Sequence, residues 1–388
     1  MKLSERVKYL KQSLTRQLFD MAQGMPNVID LTLGDPDILP DEAIRNAACE
    51  AVMAGRTRYS PNAGLPALRD AVASFNTIRY GLQVEPSEVV VTVGGMEAVY
   101  LLLSCLAEAG DEVIIPAPYW INYVQMTQIC GATPVIVPSY EEDGFAVTAS
   151  ELEKAVSPRS KVLIINTPNN PTGRVISKER LHEIAEFAIT HDLFVISDEV
   201  YRSLIYDGKK HSSISTMPGM RGRCAVVDSM SKRFSMTGYR LGYAIAPSEL
   251  AVCMTRMQEN VAACAPLPSQ YAALKAYKEN LESGEIFDEF SKRRTAILEG
   301  IKSIPQLGLS SIDGTFYAFV NISKCKMNSY DFACKLLKKR QVAVVPGRTY
   351  GDEYDNYIRI AFTLCCDRLH EAIARIKAFI DEDLHVNA

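Results

Sequence analysis

The sequence predicts an α/β protein: a large domain with a mostly parallel sheet flanked by helices, plus a smaller α+β domain. Three observations predict it. Short β-rich runs alternate with helical periodicity through the middle of the chain. Several of these runs are apolar throughout, as strands covered on both faces are. After about residue 285 the alternation stops, and a long helix, short strands and a closing helix follow. The length agrees, because 388 residues exceed what one simple core holds.

The expected strands of the large sheet are EVVVTV (88–93), EVIIP (112–116), TPVIV (133–137), KVLIIN (161–166), LFVIS (193–197), CAVVD (224–228) and LGYAIA (241–246). Helical periodicity separates several of them, at 96–109, 119–130 and 177–190. The smaller lobe is expected to hold a helix over 285–301, strands around TFYAFV (315–320), QVAVVPG (341–347) and YIRIAFT (357–363), and a helix over 366–383. The division is therefore a large domain, 46–284, and a small one made from 1–45 and 285–388. The N-terminal part is expected to pack on the small lobe or on a partner subunit.

Composition narrows the function classes. The chain is 47% apolar and 23% charged, the balance of an ordinary soluble domain. A net charge of −4 points to neither a nucleic-acid nor a membrane partner. The opening MKLSERVKYL is too polar for a signal peptide, and no apolar run is long enough to span a bilayer. The ten cysteines are scattered without a CxxC, and the five histidines do not cluster with them. Buried, reduced thiols in a cytoplasmic protein are expected, with no metal site. No GxSxG or Cys-His signature supports a hydrolase.

The polar residues carry more. VVVTV ends in Gly94-Gly95, KVLIIN in NTPNNPTG (166–173), LFVIS in Asp198-Glu199, and CAVVD in SMSK (229–232). In an open α/β sheet the carboxyl ends of the strands line the ligand crevice, so these turns are expected to converge there. Two glycines opening a helix expose backbone N–H groups suited to an anion, although a plain tight turn reads equally well. There is no GxGxxG and no GxxxxGK[ST], so neither a dinucleotide fingerprint nor a P-loop is supported. Ser229 and Arg240 add a hydroxyl and a planar cation suited to phosphate oxygens. Asp198 on its own reads as a helix N-cap. Lys232 reads as a phosphate clamp or, with its pKa lowered by burial and cationic neighbours, as a nucleophile toward an aldehyde. Trp120, the only tryptophan, is either core or a platform for a flat ring.

Taken together these segments resemble the pyridoxal-phosphate-dependent aminotransferases of fold type I, class I/II. LTLGDPD (31–37), RYSPNAGLPALRDAV (58–72), VTVGGMEAV, PAPYW, NTPNNPTG, SDEVY, SMSKRFSMTGYRLGY and YIRIAFT stand in that family's order over nearly the whole chain. The resemblance implies pyridoxal 5′-phosphate as cofactor, with Lys232 as its covalent attachment point and the base that moves the substrate Cα proton. Asp198 would pair with the pyridine nitrogen and keep the ring an electron sink. Tyr201 and Asn170 would hydrogen-bond the ring's phenolic oxygen, and Trp120 would stack on the ring. Gly94, Gly95 and Met96 through backbone N–H, with Ser229 and Arg240, would hold the phosphate. Tyr59 would reach it from the neighbouring subunit of a homodimer, a buried core aromatic being the competing reading. Arg359 would grip the substrate α-carboxylate, where the competing reading is a surface arginine on an edge strand. Gly34 would approach that carboxylate by its backbone, and Trp120 and Asn170 would also touch substrate.

The implied reaction is a ping-pong transamination from an L-amino acid, aspartate or an aromatic or broad set, to a 2-oxo acid, 2-oxoglutarate. One aspartate-using branch carries a lysine after the paired glycines, where this chain has Met96. SLTRQLFDMAQ (13–23) resembles the branch with alanine, aromatic or mixed substrates, and Arg16 falls in it. Two alternatives remain at this point: a carbon–sulfur β-lyase of the same fold, and an aminotransferase-like ligand-binding regulator. The latter needs a DNA-binding domain ahead of the motif that begins by residue 31.

Overall fold

A computed structural model describes residue 10 and residues 14–22, 24–282 and 284–384, without the side chains of residues 15, 16 and 19. A helix, Leu14–Ala22, comes first, followed by a short strand, β1 (Ile29–Asp30). The large sheet then takes β2 (Val89–Thr92), β3 (Glu112–Ala117), β4 (Thr133–Pro138), β5 (Ser160–Asn166), β6 (Phe194–Asp198), β7 (Cys224–Ser229) and β8 (Gly242–Ile245). Their order is β2-β8-β7-β6-β5-β3-β4, and β8 alone runs against the rest. All seven expected strands are present.

Burial on both faces explains the unbroken apolar runs. On β5, Val162 and Ile164 pack with Leu101, Leu102 and Met126 from the helices Gly94–Leu106 and Asn122–Ile129. Leu163 and Ile165 point the other way, onto Leu181 and Ile184 of the helix Lys178–Thr190. Each such side chain contributes about 1.5–3 kcal/mol by burial, so a strand alternating with polar residues could not sit here. The helix Lys178–Thr190 starts at Ser177, whose hydroxyl accepts the Arg180 N–H at 3.2 Å.

The smaller lobe holds β9 (Gly308–Leu309), β10 (Tyr317–Asn321), β11 (Val342–Ala343), β12 (Val345–Pro346) and β13 (Tyr357–Ala361). An antiparallel sheet runs β12-β13-β10-β9. QVAVVPG is not one strand: Val344 separates β11 from β12, and β11 pairs in parallel with β1. The N-terminal segment therefore does join the small lobe, and Leu18 and Ile29 lie in its core. The long helix runs Gly284–Lys302, and the closing α-helix stops at Ala378 before a π-turn over Phe379–Asp383. Helices at Glu42–Met53, Pro66–Tyr80, Ser248–Val261, Leu267–Lys278 and Ser329–Arg340 stand where no element was expected.

One other expectation needs correction. Only Cys224 and Cys325 of the ten cysteines are buried, and Cys49, Cys253 and Cys365 are exposed. Among the described residues no helix is long and apolar enough to cross a membrane.

Candidate active site

Because β2, β3, β5, β6 and β7 all point the same way, their carboxyl ends share one edge. Of the cofactor and substrate residues that the resemblance implies, all but Gly94 and Tyr59 line one cleft there, of about 490 Å³. Gly94 sits just beneath it. Its φ of +80° suits glycine, and a Cβ would lie 2.6 Å from Arg240 Nη2. The paired glycines begin the helix Gly94–Leu106, so the tight-turn reading gives way to a helix N-terminus with unpaired backbone N–H groups. Arg240 is exposed and held by one bond, Nη1 to the Thr237 carbonyl at 3.0 Å. Ser229 caps a single helical turn, Met230–Arg233, and its hydroxyl donates to the Leu241 carbonyl at 3.1 Å. Ser231, missed in the sequence, lines the same end of the cleft.

That turn carries Lys232 on the cleft wall. Its Nζ donates to the Gly34 carbonyl at 2.5 Å and lies 5.4 Å from the Phe316 ring. Burial pushes its pKa down to about 8; Asp35 pulls it back up, while Arg359 and Arg240 push it lower. Asp35 was not anticipated as part of this balance. A lysine with a lowered pKa suits the nucleophile-or-base reading better than that of a mere clamp.

Asp198 ends β6 and is not a helix N-cap. The residues after it form turns, and its Oδ1 accepts the Val200 N–H at 3.3 Å. Its Oδ2 accepts the Tyr123 hydroxyl at 2.5 Å. Burial drives its pKa up to about 6, with the Tyr123 and Val200 bonds opposing and Asp228 and Glu199 adding to the rise. Tyr123 escaped the sequence reading. The available signal was its spacing, three residues after Trp120 on one helical turn; the two rings meet edge to face at 5.3 Å. Tyr201 lies with its hydroxyl 3.2 Å from that of Tyr317, another residue missed because TFYAFV reads as a plain strand.

Arg359 is buried in the middle of the small sheet, since β13 pairs with both β10 and β12. The edge-strand reading is overturned. Its Nη1 donates to Asn170 Oδ1 at 3.0 Å, its Nη2 to the Thr32 carbonyl, and among the described residues its Nε has no acceptor. Its guanidinium sits 4.3 Å from the Tyr317 ring centre. Gly34 lies so near that a side chain there would collide with the Tyr317 hydroxyl. Tyr59 is 86% exposed, which overturns its reading as a core aromatic. The side chain of Arg16 falls outside the described residues.

A lysine with a lowered pKa, a buried carboxylate awaiting a cation and an anion cradle, all at one strand edge, define a site for pyridoxal phosphate. The comparisons agree. The model for aminotransferase class I and II matches residues 26–376, and the chain belongs to that family. It is 38% identical to aromatic-amino-acid aminotransferase 2 of Thermococcus litoralis, over 98% of this chain and 99% of that one. It is 39% identical to an aspartate aminotransferase of Pyrococcus abyssi, with the same coverage. The solved aspartate aminotransferase of Thermus thermophilus with maleate superposes with a TM-score of 0.92 at 33% identity, covering 97% of this chain and 99% of that one. The chain is a pyridoxal-phosphate-dependent aminotransferase, and the residues of the cleft fit that cofactor.

Proposed function

We propose that this chain moves the amino group of an L-amino acid, aspartate or one of an aromatic or broad set, to 2-oxoglutarate in two half-reactions. The observation that carries the reading is Arg359: a buried guanidinium with an unpartnered N–H, lining the same cleft as Lys232. Every α-amino acid and 2-oxo acid carries the carboxylate that Arg359 would bind.

When bound, pyridoxal phosphate supplies an aldehyde that links to amines and a ring that takes up the electron pair left at Cα. The residues do the rest. Gly94, Gly95 and Met96 through backbone N–H, with Ser229 and Arg240, hold the phosphate. Asp198 would pair with the ring nitrogen and hold its proton there, Tyr201 and Asn170 would hydrogen-bond the ring's phenolic oxygen, and Trp120 would stack on the ring. Lys232 would be the amine that holds the cofactor's aldehyde, and its Nζ would be the group that takes up and gives back the substrate's Cα proton. Arg359, with Asn170 and the Gly34 backbone, fixes the α-carboxylate so that the Cα proton faces Lys232.

The domain division at 46–284, with 1–45 and 285–388 as the moving lobe, belongs to this reading, as do a homodimer and a cytoplasmic location. A seven-stranded sheet separate from the four-stranded and two-stranded sheets favours the first. An exposed Tyr59 outside its own cleft favours Tyr59 of the partner subunit reaching the phosphate. Exposed thiols at Cys49, Cys253 and Cys365 favour a reducing compartment.

The choice of donor is supported by the aromatic walls of the cleft, Trp120, Tyr317 and Tyr350, and by the names of the relatives. A half-reaction screen of the common amino acids tests it. Aspartate or an aromatic amino acid is expected to discharge the absorbance of the lysine-bound cofactor, and 2-oxoglutarate to restore it with one glutamate per donor. Ammonia and pyruvate from a thioether amino acid, without glutamate, would overturn the reading in favour of a lyase.

A further inference from the structure

Beneath the cleft lies a second constellation of charge that the reaction does not use. Asp228 Oδ2 accepts from Arg202 Nε at 3.0 Å and Nη2 at 2.8 Å, from Arg233 Nη2 at 3.3 Å and from the Tyr243 hydroxyl at 3.0 Å. Asp228 Oδ1 accepts the Ser229 N–H at 2.7 Å. Arg202 also reaches Glu199 at 3.2 Å and Asn76 at 2.5 Å, and its guanidinium stacks 4.0 Å from the Tyr80 ring centre. Arg233 ties on Tyr80 at 2.8 Å and Glu282 at 2.7 Å. The Asp228, Arg202, Arg233 and Glu199 side chains are at most 1% exposed.

The cluster's members stand next in sequence to the residues of the site. Glu199 follows Asp198, Arg202 follows Tyr201, Asp228 precedes Ser229, and Arg233 follows Lys232. At the two strand ends successive side chains point to opposite sides, so Asp198 and Ser229 line the cleft while Glu199 and Asp228 turn to the cluster. Tyr201 and Arg202, in a turn, and Lys232 and Arg233, in the helical turn Met230–Arg233, divide in the same way. Four cofactor contacts on two loops thus share one buried anchor. Burying four charges is a poor way to gain stability, because desolvation offsets the attraction, and what such a network does supply is fixed geometry.

We propose that the Asp228–Arg202–Arg233–Glu199 cluster positions Asp198, Tyr201, Ser229 and Lys232 as one unit, setting the alignment of the bound cofactor with its lysine. The proposal rests on the cofactor reading of those four residues. Its members act through their neighbours and are positioning residues. A site held to within about half an ångström needs such support, and a misplacement of about 1 Å costs about a hundred-fold in rate.

Two variants test it in the cofactor-loaded enzyme. Tyr243→Phe keeps the ring and removes one hydroxyl from Asp228. The pair Asp228→Asn, Arg202→Met removes opposite charges together, so its melting temperature recovers relative to Asp228→Asn alone. The readouts are melting temperature, the pH midpoint of the lysine-bound cofactor's absorbance, and the half-reaction rate and KM for an amino donor. Tyr243→Phe is expected to shift the absorbance midpoint and slow the half-reaction about five-fold. KM should stay unchanged, because Arg359 lies outside the cluster. The double variant should melt like the parent yet keep a shifted midpoint and a slow rate. An unaltered midpoint and rate in Tyr243→Phe, or a rate that recovers together with melting in the double variant, would overturn the proposal; if the double variant does not fold, Tyr243→Phe decides. Borohydride fixation separates the two levels. Label on Lys232 with parent-like variants defeats positioning alone, whereas label on another lysine defeats the site reading itself.

Discussion

Asp198 and Asp228 end neighbouring parallel strands, are both buried, and are driven in opposite directions. Burial raises Asp198 to about 6, and its side-chain partner is a neutral tyrosine hydroxyl. Burial also acts to raise Asp228, but Arg202 and Arg233 overcome it and hold the carboxyl below its ordinary value. The difference teaches how to tell a structural carboxylate from a working one on the same sheet edge. Asp228 has its cations built in. Among the described residues Asp198 has no cation beside it, which favours its proposed pairing with the cofactor's ring nitrogen.

The same substitution at the two positions should therefore act with opposite signs. Asp228→Asn leaves two buried arginines short of a counter-charge and is expected to cost about 3–5 kcal/mol of stability. For Asp198 the folded pKa lies above the unfolded one, so the folded protein retains a proton that the unfolded chain has released. Stability of the cofactor-free enzyme then falls as pH rises from the ordinary carboxylate range to about 6 and stays low above it. Asp198→Asn removes that deficit and should stabilise the cofactor-free enzyme by about 3 kcal/mol at neutral pH while turnover collapses. Denaturant titrations of both variants at neutral pH check the pair, and a loss of stability in each would break the contrast.

Smaller effects sharpen it. Arg359→Ala should raise KM for every amino donor by about ten- to a hundred-fold, since it removes a charge-assisted pair worth about 1.5–3 kcal/mol. Steady-state kinetics with an acidic and an aromatic donor check this, and an effect confined to dicarboxylic donors would mean that Arg359 reads the side chain. Tyr123→Phe removes a hydrogen bond that lowers the Asp198 pKa, so that pKa should climb about one further unit. The pH at which cofactor-free stability levels off should then move up from about 6 by the same amount.

Much of this was legible in the sequence, for physical reasons. Strands such as KVLIIN are buried on both faces, so they read as apolar runs ended by turn residues, and their polar ends marked the cleft. Helices such as Ser248–Val261, SELAVCMTRMQENV, carry polar residues among the apolar ones and escaped notice. Strands of two residues, β1 and β9, are too short to show any period. At the site, Lys232, Asp198 and Arg359 stand in segments whose residue order carries the family resemblance. Tyr123 and Tyr317 do not, because their roles come from contacts with Asp198 and Tyr201 that are 75 and 116 residues away. Asp228 read as the polar end of a strand; only the fold brings Arg202 and Arg233 onto it.

Borohydride reduction of the purified, cofactor-loaded enzyme, followed by sequencing of the labelled peptide, bears most directly on the central claim. The account predicts one pyridoxyl group per chain, on Lys232 within SMSKRFSMTGYR. Label on any other lysine, with Lys232 unmodified, would contradict it.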